Sequence, residues 1–224
     1  MHENLPEKKP TGISLNVIGD HEIIVGEKVS FTSSALISIS GTRNSINIMD
    51  ETDLGSTKIT IRGRNISVII GSKCKIKGPV IVAAGNGTKV SIGYGTSWES
   101  GSINAAEGQS VIIGSDCMFS NQIMIRNMDG HGLFDGKTRK RINEAKSVVI
   151  GNHVWIGNSA RVNKGTIIED GAVLGQMAIA SGKLESYSLY AGIPARRLRQ
   201  NVRWSRTFEY DDIPAEFRQE CFDC

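Results

Sequence analysis

Residues 150–179, IGNHVWIGNSARVNKGTIIEDGAVLGQMAI, repeat one six-residue phrase five times without a break. Each block opens on a branched apolar residue (Ile150, Ile156, Val162, Ile168, Leu174) and carries a small residue in fifth place (Val154, Ala160, Thr166, Ala172, Ala178). An α-helix turns about 100° per residue, so positions six apart would stand roughly 240° apart and the apolar openings would scatter around it. Six is instead a multiple of the strand period of two. First and fifth positions therefore share a face, provided that a corner follows each short strand. A unit this short cannot bury its own apolar face, so successive blocks must stack and share a core, which makes the chain a flat-sided solenoid.

The remainder of the chain fits an all-β solenoid. Its 224 residues are ample for one sizeable core, and 6% aromatics with 25 glycines suit thin aliphatic walls meeting at tight corners. From LNVIGDHEIIVG onward β-branched runs recur, and Ile70, Ile92 and Ile113 stand about twenty residues apart rather than eighteen. That spacing predicts wider coils with bulged corners in the N-terminal half. The coil is expected over residues 12–195, after a loose polar tail at 1–11. Cys74 and Cys117 hold the fifth position of IGSKCK and IGSDCM and read as core thiols. Cys221 and Cys224 form a CFDC without a second ligand pair and read as a frayed tail rather than a zinc site.

Two segments interrupt the pattern. Residues 124–147, MIRNMDGHGLFDGKTRKRINEAKS, are polar and must leave the wall as a projecting loop, because wall backbone is engaged between coils. Residues 196–224 lose the strand pattern and read as a short helix and tail that caps the open end. A formal charge of +3 and the lack of interleaved aromatics argue against a nucleic-acid binder. The first residues hold no signal-like apolar stretch, and no run of eighteen apolar residues offers a membrane span, so the expected location is the cytoplasm.

In their order and spacing, IGNHVWIG, AGIPARRLR and the DGHG loop resemble the hexapeptide-repeat acyltransferases. The resemblance is strong over about residues 111–200, and MIRNMDGH with the tail NVRWSR is most similar to the capsular-polysaccharide (sialic acid) O-acetyltransferases. It implies a left-handed parallel β-helix with a projecting catalytic loop. It also implies a homotrimer with sites between subunits, acetyl-CoA as co-substrate, a carbohydrate acceptor and no metal.

Acetyl transfer to a hydroxyl needs a base near neutral pKa. His2 lies in the tail and His21 in an early coil, which leaves His131 and His153. His153 sits at a corner position expected to point into solvent, whereas His131, between loop glycines, matches the family's catalytic histidine. Asp129 or a backbone carbonyl would orient its ring. Trp155, in sixth place, should stand exposed on the wall, and the resemblance puts it beside the pantetheine arm and the reacting centre. Asn158, Gln176 and Ser181 match the pantetheine groove, and Lys183, Arg196 and Arg199 match positions that bind the donor's phosphates. In the N-terminal coils Trp98 and Glu99 are candidate acceptor contacts, and TRKRINEAK is either a strip for an acidic polysaccharide or a solvated loop. Competing readings are acetylation of a nucleotide amino sugar or an antibiotic, and a non-catalytic carbohydrate-binding scaffold.

Overall fold

The computed structural model describes residues 13–218. The tail at 1–11, with His2, and the pair Cys221 and Cys224 lie outside the described residues. Three sheets, of eight, eight and seven strands, form the walls of a left-handed β-helix. The first wall runs from Ile13–Ile18 to Ile179–Ala180, and the second from His21–Val25 to Lys183–Leu184. The third runs from Lys75–Ile76 to Leu189–Ala191 and closes on Arg196–Arg199. All pairings are parallel except that last one.

The period predicted from sequence is the period of the coil. In the N-terminal half the pairing advances by 22 residues per coil, as in Ile37 beside Ile59 and Ile59 beside Ile81. After the loop it advances by 18, as in Val149 beside Ile167 and Trp155 beside Val173. The wider coils carry longer first-wall strands, Lys58–Arg64 against Arg161–Val162, and turn into the second wall through a polar corner. There the buried Asn44 donates from Nδ2 to the carbonyls of Ser40 (3.1 Å) and Gly63 (3.0 Å) and accepts from the Ile66 amide (3.0 Å). Each of these groups would otherwise be a buried amide or carbonyl without a partner.

All ten first and fifth positions of the strict repeat are buried. The interior is a file of side chains with no lumen, and on the third wall it widens to take Trp98 edge-on to Phe119, with ring centroids 5.4 Å apart. Along the corner between the second and third walls Thr52, Cys74, Thr96 and Cys117 follow one another. Each donates to a glycine carbonyl of the next coil, at Gly71 (2.8 Å), Gly93 (3.1 Å), Gly114 (3.0 Å) and Gly151 (3.2 Å) respectively. The two thiols thus stand where threonine stands in the alternate coils. Burial pushes Cys74 up to about 11 and Cys117 up to about 12, so both stay protonated and able to donate.

The loop leaves the first wall after Ile123–Arg126 and re-enters the second at Val148–Ile150. Met124 to Arg126, expected within the loop, therefore belong to the wall. Arg196–Arg199, expected in a helical tail, is a strand antiparallel to Leu189–Ala191. The last parallel rung exposes an unpaired edge, and the chain reverses to cover it. Among the described residues helix is confined to a single turn at Tyr210–Asp212 and to Ala215–Arg218.

Gly41, Gly63 and Gly85 pair in register at the end of the first wall with φ of 110°, 138° and 94°. A Cβ on Gly63 would lie 1.9 Å from the Gly85 carbonyl oxygen. Both the dihedral and the contact exclude a side chain, so Gly63→Ala should cost at least about 2 kcal/mol in thermal or denaturant unfolding. An unchanged melting curve would show that this wall yields where the packing says it cannot.

Candidate active site

The loop that carries His131 is a tied hairpin. Its neck closes where the Lys146 amide donates to Asn127 O (3.0 Å), and its arms pair through Ile142 to Leu133 and Asp135 to Lys140. The turn at the tip is held by the Asp135 carboxylate, which accepts from the amides of Lys137 and Thr138. Arg141 binds Glu107 of the preceding coil with both terminal nitrogens, at 2.8 and 3.0 Å. Lys164 of the following coil binds Asp129. Asn143, buried, joins the arms by donating to Asp129 Oδ2 (3.0 Å) and to the His131 carbonyl (2.8 Å) while accepting from the Leu133 amide (2.7 Å).

The backbone of His131 is thereby fixed, while its ring is exposed and makes no hydrogen bond among the described residues. Asp129 does not orient that ring within the chain. Its carboxyl is engaged by Lys164 and Asn143, which hold it below its ordinary range, and so it stays ionised at neutral pH.

Trp155 lies outside the third wall, 38% exposed, with Trp204 of the C-terminal segment 6.1 Å away between ring centroids. Two residues earlier, His153 is not the solvated corner residue that its position predicts. It is 2% exposed, lies flat between Trp204 (4.0 Å) and Phe217 (4.5 Å), and meets Asp116 Oδ2 through Nδ1 (2.7 Å) and the Trp204 carbonyl through Nε2 (3.1 Å). Trp204 returns a bond from its indole nitrogen to the His153 carbonyl (2.8 Å). Arg206 completes the clasp on Asp116 Oδ1 (3.0 Å) and reaches Ser97 Oγ (2.8 Å). Burial pushes the Asp116 carboxyl up, but the His153 and Arg206 bonds outweigh it and the net direction is down. A carboxyl lowered on folding adds stability above its ordinary range and loses it as pH falls through the lowered value, so acid opens the clasp.

The other candidates fall into two groups. Asn158 and Gln176 are exposed and stack on adjacent coils at the corner between the third and first walls, where the Met177 amide donates to Asn158 O (2.7 Å). Arg196 and Arg199 are exposed beside the last rung of the third wall and carry no ion pair among the described residues, whereas Arg197 between them is bound to Glu185. Ser181 and Lys183 lie at the corner between the first and second walls, two coils on from the His131 loop, and Lys183 is paired with Glu169 at 2.7 Å. In one chain, Trp155, Asn158, Gln176 and the arginines therefore share one side of the prism, and His131, Ser181 and Lys183 the opposite corner.

Trp98 is buried and bonded to Ser100 O, so it cannot touch an acceptor, and Glu99 is paired with Lys77. Residues not singled out from sequence are Asn143, Lys164, Asp116, Trp204 and Arg206. Of these Trp204 and Arg206 carried a signal, as part of the tail NVRWSR. Among the described residues no three His, Cys, Asp or Glu side chains cluster to hold a metal, and no helix is long and apolar enough to cross a membrane.

No family model matches the chain. It is similar to a polysialic acid O-acetyltransferase of Escherichia coli O1:K1, 34% identical over 140 residues that cover 62% of this chain and 45% of the relative. It is also similar to a polysialic acid O-acetyltransferase of Neisseria meningitidis, 34% identical over 146 residues that cover 56% of this chain and 68% of the relative. The match thus spans less than half of the Escherichia coli relative's length. Among solved structures it is similar to the polysialic acid-specific acetyltransferase NeuO, with a TM-score of 0.82 and 30% identity over 88% of this chain and 91% of that one.

Removing the ring in His153→Ala deletes two hydrogen bonds and two stacking contacts and strands the Asp116 carboxylate. It should cost roughly 2–4 kcal/mol and release residues 200–218 to limited proteolysis while the coil remains folded. Protease resistance equal to that of the parent would mean that the segment is held by other contacts.

Proposed function

Because the chain belongs to the hexapeptide-repeat acetyltransferases, alongside the polysialic acid O-acetyltransferases, we propose that it moves an acetyl group from acetyl-CoA to a sugar hydroxyl. The acceptor is a capsular or other surface polysaccharide, sialic acid included, and the reaction runs in the cytoplasm. The observation that carries this reading is His131: a loop braced through Asp129, Asn143 and Lys164 presents an imidazole that no hydrogen bond engages among the described residues. A general base needs that combination of fixed backbone and free nitrogen.

In the proposed reaction His131 takes the proton of the acceptor hydroxyl as its oxygen attacks the thioester carbonyl. The C–S bond then breaks, and His131 returns the proton to the departing sulfur. Backbone amides at the adjoining corner stabilise the oxyanion. The donor's thioester arm lies against Trp155 and along Asn158, Gln176 and Ser181. Its phosphates fall to Arg196 and Arg199, whose guanidiniums lack acid partners among the described residues, with Lys183 exchanging Glu169 for phosphate. The chemistry of that donor fits these residues: an apolar ring for the arm, amides and a hydroxyl along it, and cations at its end.

His131 and Trp155 stand on opposite sides of the prism, and the proposed assembly brings them together from two subunits. We take this assembly to be a closed homotrimer, in which each interface sets one chain's loop against another's third wall. A loop tip bearing the exposed apolar residues Leu133, Phe134 and Ile142 supports that use of the loop.

His131→Ala should lower kcat by roughly 10²- to 10⁴-fold with little change in KM for acetyl-CoA. Steady-state assay against an acidic polysaccharide checks this, and near-normal turnover would remove His131 from the mechanism.

A further inference from the structure

Several cations of the loop and of the coils after it are neutralised by a carboxylate, although the loop's own Lys137, Arg139, Lys140 and Lys146 make no ion pair among the described residues. Arg141 has Glu107, Lys164 has Asp129, Lys183 has Glu169 and Arg197 has Glu185. Arg126 and Arg161 do not. Met124 and Arg161 are partners in neighbouring first-wall strands, and Arg126 follows Met124 by two, so the strand period puts all three side chains on the outer face. There Arg126 Nη2 and Arg161 Nη1 both turn onto Met124 Sδ, at 2.7 and 3.1 Å. A thioether is a weak acceptor and carries no charge. Two guanidiniums held to one sulfur repel each other, and among the described residues neither makes an ion pair. Their forks are close enough for one carboxylate to bridge, which is the geometry that guanidinium recognises best.

We propose that Arg126 and Arg161 form an anion subsite on the outside of the first wall, taking the carboxylate of an acidic sugar while a hydroxyl of the acceptor lies at His131. The inference rests on the acetyltransfer reading above and adds a determinant of acceptor choice. Arg126 is the last wall residue before the loop, and its charge is among those that lower the Asp129 carboxyl, two residues from His131. The subsite therefore adjoins the root of the loop that carries His131. Of the cations assigned to the donor, Arg196 and Arg199 stand beside the third wall at the end of the coil, and Lys183 stands at the corner two coils on from the His131 loop. A phosphate of acetyl-CoA has the same affinity for two guanidiniums, and the test separates the two sources.

The test uses the full chain and three variants, Arg126→Gln, Arg161→Gln and the double substitution, with Arg161→Lys to keep the charge without the fork. Affinity for an α2,8-linked sialic acid oligomer and for acetyl-CoA is measured by titration calorimetry, and KM for each is measured where turnover is detected. A second oligomer with its carboxylates reduced to alcohols serves as the neutral acceptor. The expected result is a loss of about tenfold or more in affinity and KM for the acidic oligomer in the double variant. Arg161→Lys should fall between, affinity for acetyl-CoA should be unchanged, and the parent should bind the reduced oligomer no better than the double variant does. Equal affinity of parent and double variant for the acidic oligomer would overturn the subsite. A loss confined to acetyl-CoA would also overturn it, giving the pair to the donor's phosphates. Failure of the parent to acetylate any acceptor would sink the acetyltransfer reading, and the oligomer titration would still judge the subsite by itself.

Discussion

A triangular coil whose walls are one strand thick must be filled by the side chains of those walls. The file of Ile, Val and Leu from Ile37 to Leu174, wholly buried, fills the prism across its width. Three consequences follow from that packing. Every ligand must be met on an outer face. Any segment that is not wall must leave at a corner. And a corner must turn in the left-handed region on each coil, even where the residue is Glu51, Lys73, Asp116 or His153 rather than glycine. The site residues are accordingly corner, loop and outward wall positions.

The strict repeat was legible because packing alone dictates it. The same holds for the buried fifth positions and for the outward tryptophan. The features that were not legible depend on contacts between distant parts of the chain. His153 occupies an outward corner position, and only the return of Trp204, 51 residues later, buries it. Nothing local marks Arg196–Arg199 as a strand, since its partner is the edge left by the coil's last rung. Trp98 lies among polar residues, but it stands six residues after Ile92, the position that opens a block, and pairs with Ile76 and Phe119 in that inward register, so its burial was legible from the repeat. Asn143 gave no signal at all, because its value lies in three hydrogen bonds across the loop.

Seen together, the outer faces divide the proposed chemistry. One side of the prism offers an apolar ring and exposed arginines, and the opposite corner offers a braced loop with an exposed imidazole. The first wall between them carries the Arg126 and Arg161 pair. None of these halves is complete for acetyl transfer alone, and rotation about a three-fold axis is the simplest way to join them repeatedly. The clasp of His153, Asp116, Trp204 and Arg206 then has a plain use, since it fixes the surface from which Trp155 projects.

The most direct test of this account is complementation between two damaged subunits. His131→Ala and Trp155→Ala chains are co-expressed with different tags, and mixed trimers are isolated and assayed against each parent. If the base and the tryptophan come from neighbouring subunits, each mixed trimer regains one intact interface in three, and activity should return to about a third of normal. Mixed trimers as inactive as their parents would contradict the shared site.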